Sequence, residues 1–211
     1  MLREKIIEIG KTLNNTGLVA GTWGNISAWD SEYNGYWITP SGMDYQTLQE
    51  KDLVLLDLEG NVLIGKRKPS SEYLLHREVY IGRPDIKGVV HTHSPYASAH
   101  AVSRVSLPAI VEDLAMLVGG NVEVADYYLP GTQELAQRTV EKLGRRNAVL
   151  LANHGLVGVG KSVEEALKVC QVVEKGAQIH IMSRVLGNTT VLDEQDVAAM
   201  ADNYLTKYGQ P

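Results

Sequence analysis

The sequence predicts an α/β layered domain with a central sheet, on three observations. Short strand-like runs alternate with helical stretches along all 211 residues. Two of those runs flank a turn that would pair them antiparallel. No repeat, low-complexity tract or linker divides the chain, so a single domain over 1–211 is expected. Hydrophobic residues at 44% and charged residues at 21% are globular proportions, and this length builds a core without disulfides.

Leu2, Ile6, Ile9 and Leu13 share one helical face, and Gly17 stops that helix. Gly21-Thr-Trp-Gly-Asn25 reads as a glycine-spaced loop, Tyr36–Thr39 as a short strand and Pro40–Met43 as a turn, so loops dominate this stretch. Leu53–Leu58 and Val62–Gly65 read as strands joined through Glu59–Asn61. Behind Pro69-Ser70-Ser71, Glu72–Ile81 reads as a helix, and Gly88–His93 as a buried strand stopped by Ser94-Pro95, with a helix from Pro95 to Val102. Val122–Ala125 is a short strand, Thr132 caps a helix running to Gly144, and Ala148–Ala152 and Leu156–Val159 are two apolar runs around Asn153-His154-Gly155. Ser162 and Glu165 form a capping box for a long helix with Leu167, Cys170, Val173, Ala177 and Ile181 inward, ending at Gly187. Asp193 caps a last helix to about Tyr208.

A net charge of −5 argues against a nucleic-acid surface and for a small partner. The single cysteine, Cys170, excludes a disulfide framework and a cysteine-rich zinc ribbon, and fits a reducing compartment. The N-terminus carries charges where a signal peptide has an apolar stretch, and no run reaches membrane-span length, so a cytoplasmic location without membrane contact is expected.

A metal site here must use histidines and carboxylates. His91 and His93 are two apart, which on a strand puts both on one face, at a strand end. His154 also stands at the end of an apolar run that reads as a core strand, and Gly155 after it permits close backbone approach. Three imidazoles at strand ends suit a catalytic zinc, which takes three protein ligands and keeps a further position open; a buried His154 bonded to backbone is the other reading. His76, His100 and His180 read as surface or core residues within helices, and Lys66 and Lys68 as solvated loop charges. Glu72 falls at a helix N-terminus, where an acid complements the helix dipole. Beside it Ser70 and Ser71, with Gly24-Asn25 and Ser41-Gly42, are small polar loops able to cradle one phosphate. No nucleotide-binding loop is present in the sequence.

Taken together, Gly21–Ser27, Ile38–Gly42, Lys68–Glu72, His91–Pro95 and Asn153–Leu156 resemble, in order and spacing, the class II aldolase/adducin family, and most closely its L-fuculose-1-phosphate aldolase branch. The likeness runs from about residue 3 to residue 208. It implies an α/β/α domain around a mainly antiparallel sheet, and a homotetramer of four-fold symmetry with sites near subunit interfaces. His91, His93 and His154 match the zinc ligands. Glu72 matches the acid that ligates the resting metal and acts as acid/base. Gly24, Asn25, Ser41, Gly42, Ser70 and Ser71 match phosphate-binding positions, and Tyr208 matches a C-terminal tyrosine on the aldehyde side. The expected reaction is reversible cleavage of a ketose 1-phosphate, L-fuculose 1-phosphate or a related deoxy sugar, into dihydroxyacetone phosphate and a short aldehyde such as lactaldehyde. A methylthioribulose-1-phosphate dehydratase and an L-ribulose-5-phosphate 4-epimerase are alternatives using the same site, and a non-catalytic adducin-like module is one of another class. The sequence departs from that branch at Val111–Met116, which lacks its tyrosine. This leaves aldehyde specificity open, with Glu112 and Asp113 as either a second acid/base pair or helix N-terminal acids.

Overall fold

Strands whose side chains are apolar on both faces must be covered on both sides, and this chain does so with helices. The structure, a computed structural model, describes residues 1–207. Its strands are β1 Asn25–Asp30, β2 Gly35–Ile38, β3 Val54–Leu56, β4 Val62–Ile64, β5 Gly88–Thr92, β6 Glu123–Ala125, β7 Ala148–Leu151 and β8 Gly155–Gly160. Its helices are α1 Leu2–Asn15, α2 Tyr73–Gly82, α3 Pro95–Ser103, α4 Glu112–Val118, α5 Gln133–Leu143, α6 Val163–Leu186 and α7 Glu194–Lys207. The strands form one sheet in the order β4-β3-β2-β1-β5-β8-β7-β6. Every neighbouring pair is antiparallel except β6 with β7.

Period-two alternation divides the core. Ile26, Ala28, Leu55, Val90, Leu150 and Leu156 face α1, α3, α4 and α6. Tyr36, Ile38, Val89, Val149, Leu151 and Val157 face α2 and α5. The result is the expected three-layer α/β/α arrangement around a mainly antiparallel sheet. No helix among the described residues is long and apolar enough to cross a membrane.

The hairpin at Glu59–Asn61, the short strands and the long helices stand where the sequence puts them. The region read as loops does not: Asn25–Asp30 is a strand at the middle of the sheet, paired with both β2 and β5. Its Asn25 and Ser27 are polar yet buried, so the composition resembles a loop while the backbone is a strand. A second difference concerns α6, where Leu167 and Ile181 are only half-buried and the inner face runs through Val169, Gly176 and His180. The His180 ring turns inward because its Nδ1 lies 3.2 Å from His100 Nε2. The capping box is also shifted. Ser162 Oγ accepts from the Glu165 N–H at 3.2 Å, but the Glu165 carboxylate reaches the N–H of Lys161 at 2.6 Å instead of that of Ser162.

Candidate active site

Antiparallel pairing brings the candidate residues to one end of the sheet. The C-terminal end of β5 lies beside the start of β1, where Asn25 pairs with His91, and beside the start of β8, which follows His154. Glu72 immediately precedes α2, which packs on the same face. His91 Nε2 stands 2.9 Å from His93 Nε2 and 3.2 Å from His154 Nε2. Glu72 Oε2 lies 3.4 Å from His91 Nε2, and Glu72 Oε1 lies 3.3 Å from His154 Nε2.

Glycines make this convergence possible. A Cβ on Gly155 would lie 2.2 Å from the Thr92 carbonyl oxygen and press on both His93 and His91. Gly24 has a φ of +84°, and a Cβ there would lie 2.7 Å from the His91 carbonyl. Before His154 the chain reverses through Asn153 at a φ of +54°, held by a hydrogen bond from Arg104 to its side-chain oxygen.

The four groups fit a divalent cation. One donor atom from each of Glu72, His91, His93 and His154 lies within 4.8 Å of the others, and donors about 2.1 Å from a tetrahedral ion stand about 3.4 Å apart. His91 Nδ1 donates to the Leu156 carbonyl at 2.9 Å, which leaves a lone pair on Nε2 aimed at the other donors. Glu72 Oε1 has no hydrogen-bond partner among the described residues, an orphan that a cation would satisfy. Burial, and next the neighbouring rings His154 and His93, hold the His91 imidazole well below its usual pKa. Burial first also lowers His93 and His154, so all three present lone pairs to a cation instead of protons.

Glu72 does not behave as a helix cap, since its side chain makes no capping bond to α2. It turns inward, and its Oε2 accepts from Asn25 Nδ2 at 2.8 Å. A cavity of about 370 Å³ joins Gly24, Asn25, Ser41, Gly42, Ser70 and Ser71 to Glu72, His93 and His154. The loops in it are fastened to each other. The Ser70 N–H donates to the Thr39 carbonyl and the Ser41 N–H to the Lys68 carbonyl, both at 3.0 Å. Thr39 Oγ1 accepts from the Ile26 N–H at 3.1 Å. Ser70 Oγ accepts from the Glu72 N–H at 3.2 Å, so its own proton remains for a ligand.

Glu112 and Asp113 begin α4 and line neither this cavity nor the donor cluster. Asp113 is paired with Lys175 of α6. Tyr208 lies outside the described residues. Lys66 and Lys68 are exposed, as expected. Two participants escape the sequence reading. Trp23 is 66% exposed at the cavity mouth and stacks on His93 with ring centroids 6.0 Å apart. His76 is fully buried and its Nε2 lies 2.5 Å from Asn25 Oδ1. The signal for His76 is its spacing four residues after Glu72, one helical turn along the same face.

Known proteins share this fold and much of this sequence. A 5-deoxy-D-ribulose 1-phosphate aldolase of Bacillus thuringiensis serovar kurstaki is 40% identical over 208 residues, covering 99% of this chain and 97% of that one. A 5-methylthioribulose-1-phosphate/5-deoxyribulose-1-phosphate aldolase of Rhodospirillum rubrum is 32% identical, covering 99% and 92%. The solved structure of an L-fuculose 1-phosphate aldolase superimposes with a TM-score of 0.93 at 37% identity, over 97% of this chain and 96% of that one. The pattern described as the class II aldolase and adducin N-terminal domain matches residues 4–181. With that match laid over the histidine and carboxylate cluster and its fastened loops, the chain belongs to the class II aldolase and adducin family.

Proposed function

We propose that the protein is a zinc-dependent lyase that reversibly cleaves a deoxy-ketose 1-phosphate between C3 and C4, giving dihydroxyacetone phosphate and a short aldehyde. The observation that carries this reading is a carboxylate with one oxygen tied and one free, facing three imidazole nitrogens in the cavity that also holds the serine and glycine loops. The relatives named for 5-deoxyribulose 1-phosphate favour a five-carbon substrate, whose C4–C5 fragment leaves as acetaldehyde. L-fuculose 1-phosphate, which would release lactaldehyde, is the six-carbon counterpart.

Cleavage leaves an electron pair on C3 in conjugation with the C2 carbonyl. His91, His93, His154 and Glu72 would hold a divalent ion, which would supply Lewis acidity worth several kcal/mol where the negative charge develops. Released from the donor set as substrate binds, Glu72 takes the C3 proton in synthesis and returns it to C3 in cleavage, with Oε1 as the working oxygen. Ser41, Gly42, Ser70, Ser71, Gly24 and Asn25 hold the phosphate through hydroxyl, amide and backbone donors, which keeps C3 in line with the carboxylate. These donors are neutral, so an acidic protein can bind an anionic sugar. Tyr208 takes the C4 hydroxyl proton as the bond breaks, and Tyr208→Phe should therefore lower kcat. The reading includes a tetramer, supported by the exposed apolar Met182, Val185 and Leu186 at the end of α6, and light scattering measures it.

The test is a panel of ketose 1-phosphates assayed for released dihydroxyacetone phosphate. Release is expected with the 5-deoxypentulose and 6-deoxyhexulose phosphates, loss with chelator and recovery with zinc, and Glu72→Gln should reduce kcat by about 10²–10⁴-fold. Water elimination or C4 epimerisation in place of release would overturn the aldolase reading.

A further inference from the structure

Buried side chains extend from the Glu72 carboxylate into the interior between β1 and α2, and a single assignment of their hydrogens satisfies them all. With Glu72 ionised, its Oε2 accepts, so Asn25 presents Nδ2 to it at 2.8 Å. Asn25 Oδ1 then faces His76 Nε2 at 2.5 Å. A carbonyl oxygen only accepts, so Nε2 carries the imidazole proton. Burial pushes the His76 pKa down to about 3, which keeps the ring neutral and leaves Nδ1 as an acceptor. Ser27 Oγ, at 2.6 Å from Nδ1, donates to it. Ser27 has one proton to give, so Tyr80, whose hydroxyl lies 2.7 Å from Ser27 Oγ, must donate in turn. Ser27, His76 and Tyr80 are all buried, and every bond in the series points toward the carboxylate.

We propose that His76 is the positioning residue for Glu72: acting through Asn25, the Tyr80–Ser27–His76 series ties Oε2 and leaves Oε1 as the oxygen that moves the proton. This rests on the aldolase reading above. The two ends of an asparagine amide are nearly equal in size, so shape does not choose between its two flips; hydrogen bonding does. The donor at His76 Nε2 makes that choice. Without it, Asn25 is free to present its own oxygen to the carboxylate, and the two acceptors repel. Glu72 then loses the bond that fixes its rotation, while the Ser41, Ser70 and Ser71 loops and the three imidazoles keep theirs.

The zinc-loaded protein tests this without any substrate. Nitrogen-15 NMR of the histidine rings, with the His76 signals identified by their absence from His76→Gln, should show protonation at Nε2; protonation at Nδ1 overturns the proposal. With the ketose 1-phosphate that the wild type cleaves, His76→Ala should lower kcat by about 10–100-fold while KM changes less than about threefold, as expected for lost orientation around an intact binding site. His76→Gln, whose amide supplies one donor and one acceptor, should restore kcat to within about fivefold of wild type. An unchanged kcat in His76→Ala, or an equal loss in His76→Gln with both proteins folded, overturns it. If the wild type releases no dihydroxyacetone phosphate from any substrate, the aldolase reading falls, and the tautomer still decides whether the series is oriented as stated.

Discussion

Gly155 stands where three chain segments meet, with the Thr92 carbonyl, His93 and His91 inside the space a methyl group would take. Gly155→Ala is therefore expected to cost about 1–3 kcal/mol of stability, as overpacking does, and to weaken zinc binding because β5 and its two imidazoles must move. Denaturant unfolding and a zinc titration measure the two effects. His76 gives a second expectation, in pH. Burial lowers its pKa from 6.5 to about 3, so the unfolded chain protonates at higher pH than the folded one. The stability tied to this ring is whole above pH 6.5 and drains away as pH falls from there toward 3, with a slope of at most about 1.4 kcal/mol per pH unit. Denaturant midpoints of the chelated protein should fall more steeply with acid in wild type than in His76→Gln, and parallel curves would refute this. At this scale the convergence of the candidate donors was legible because their residue types are few and their spacings chemical: His91 and His93 two apart, His154 before a glycine, Glu72 after two serines. His76 was legible only as a residue on the Glu72 face of its helix, because a lone histidine there has the same appearance whether it is solvated or hydrogen-bonded to an amide across the core.

Among the elements, α6 and β1 mark the two extremes of legibility. The start of α6 was readable from Ser162 and Glu165, since capping is local chemistry. Its far end was not, because the inward turn of His180 is set by His100 on α3, 80 positions away. For β1 the alternation of Ile26 and Ala28 with Asn25 and Ser27 is present in the sequence, but a buried polar face has the composition of a solvent-facing loop. Only the pairing with β5 and the approach of α2 explain why those polar groups lie inside. Capping gives the prediction at this level. Ser162→Ala removes the acceptor for the Glu165 N–H and should cost about 1 kcal/mol. The cap lies on an element that contributes no side chain to the cavity, so kcat should stay the same; a stability loss accompanied by a fall in kcat would tie α6 to the site.

Across the whole molecule, the candidate donors come from sequence positions 72, 91, 93 and 154, so an ion held by them ties α2 and β5 to the turn between β7 and β8. Zinc should stabilise the folded protein in proportion to the logarithm of its concentration, by about 4 kcal/mol at a thousand-fold excess over Kd, and a melting temperature insensitive to chelator would contradict the site. Unequal protection is expected as well. The amides of β5 and β8 sit between covered faces, whereas β4 is exposed along its length and α7 is anchored through a small cluster around Ala109, Ala115 and Val197. Hydrogen exchange should run fastest in β4 and α7 and slowest in β5 and β8. The layered architecture was legible from the alternation of elements, while the order of strands was not, since it depends on contacts between distant runs of similar composition. The bond from His91 Nδ1 to the Leu156 carbonyl crosses between the two central strands, so the attitude of one candidate ligand ring is dictated by its neighbour's alignment. A slip of β8 by one residue would turn every side chain of that strand to the opposite face and carry the acceptor away. Metal uptake would thereby double as a proofreader of folding: a chain whose sheet has closed out of step offers an incomplete claw, and only correctly aligned molecules would be locked by an ion.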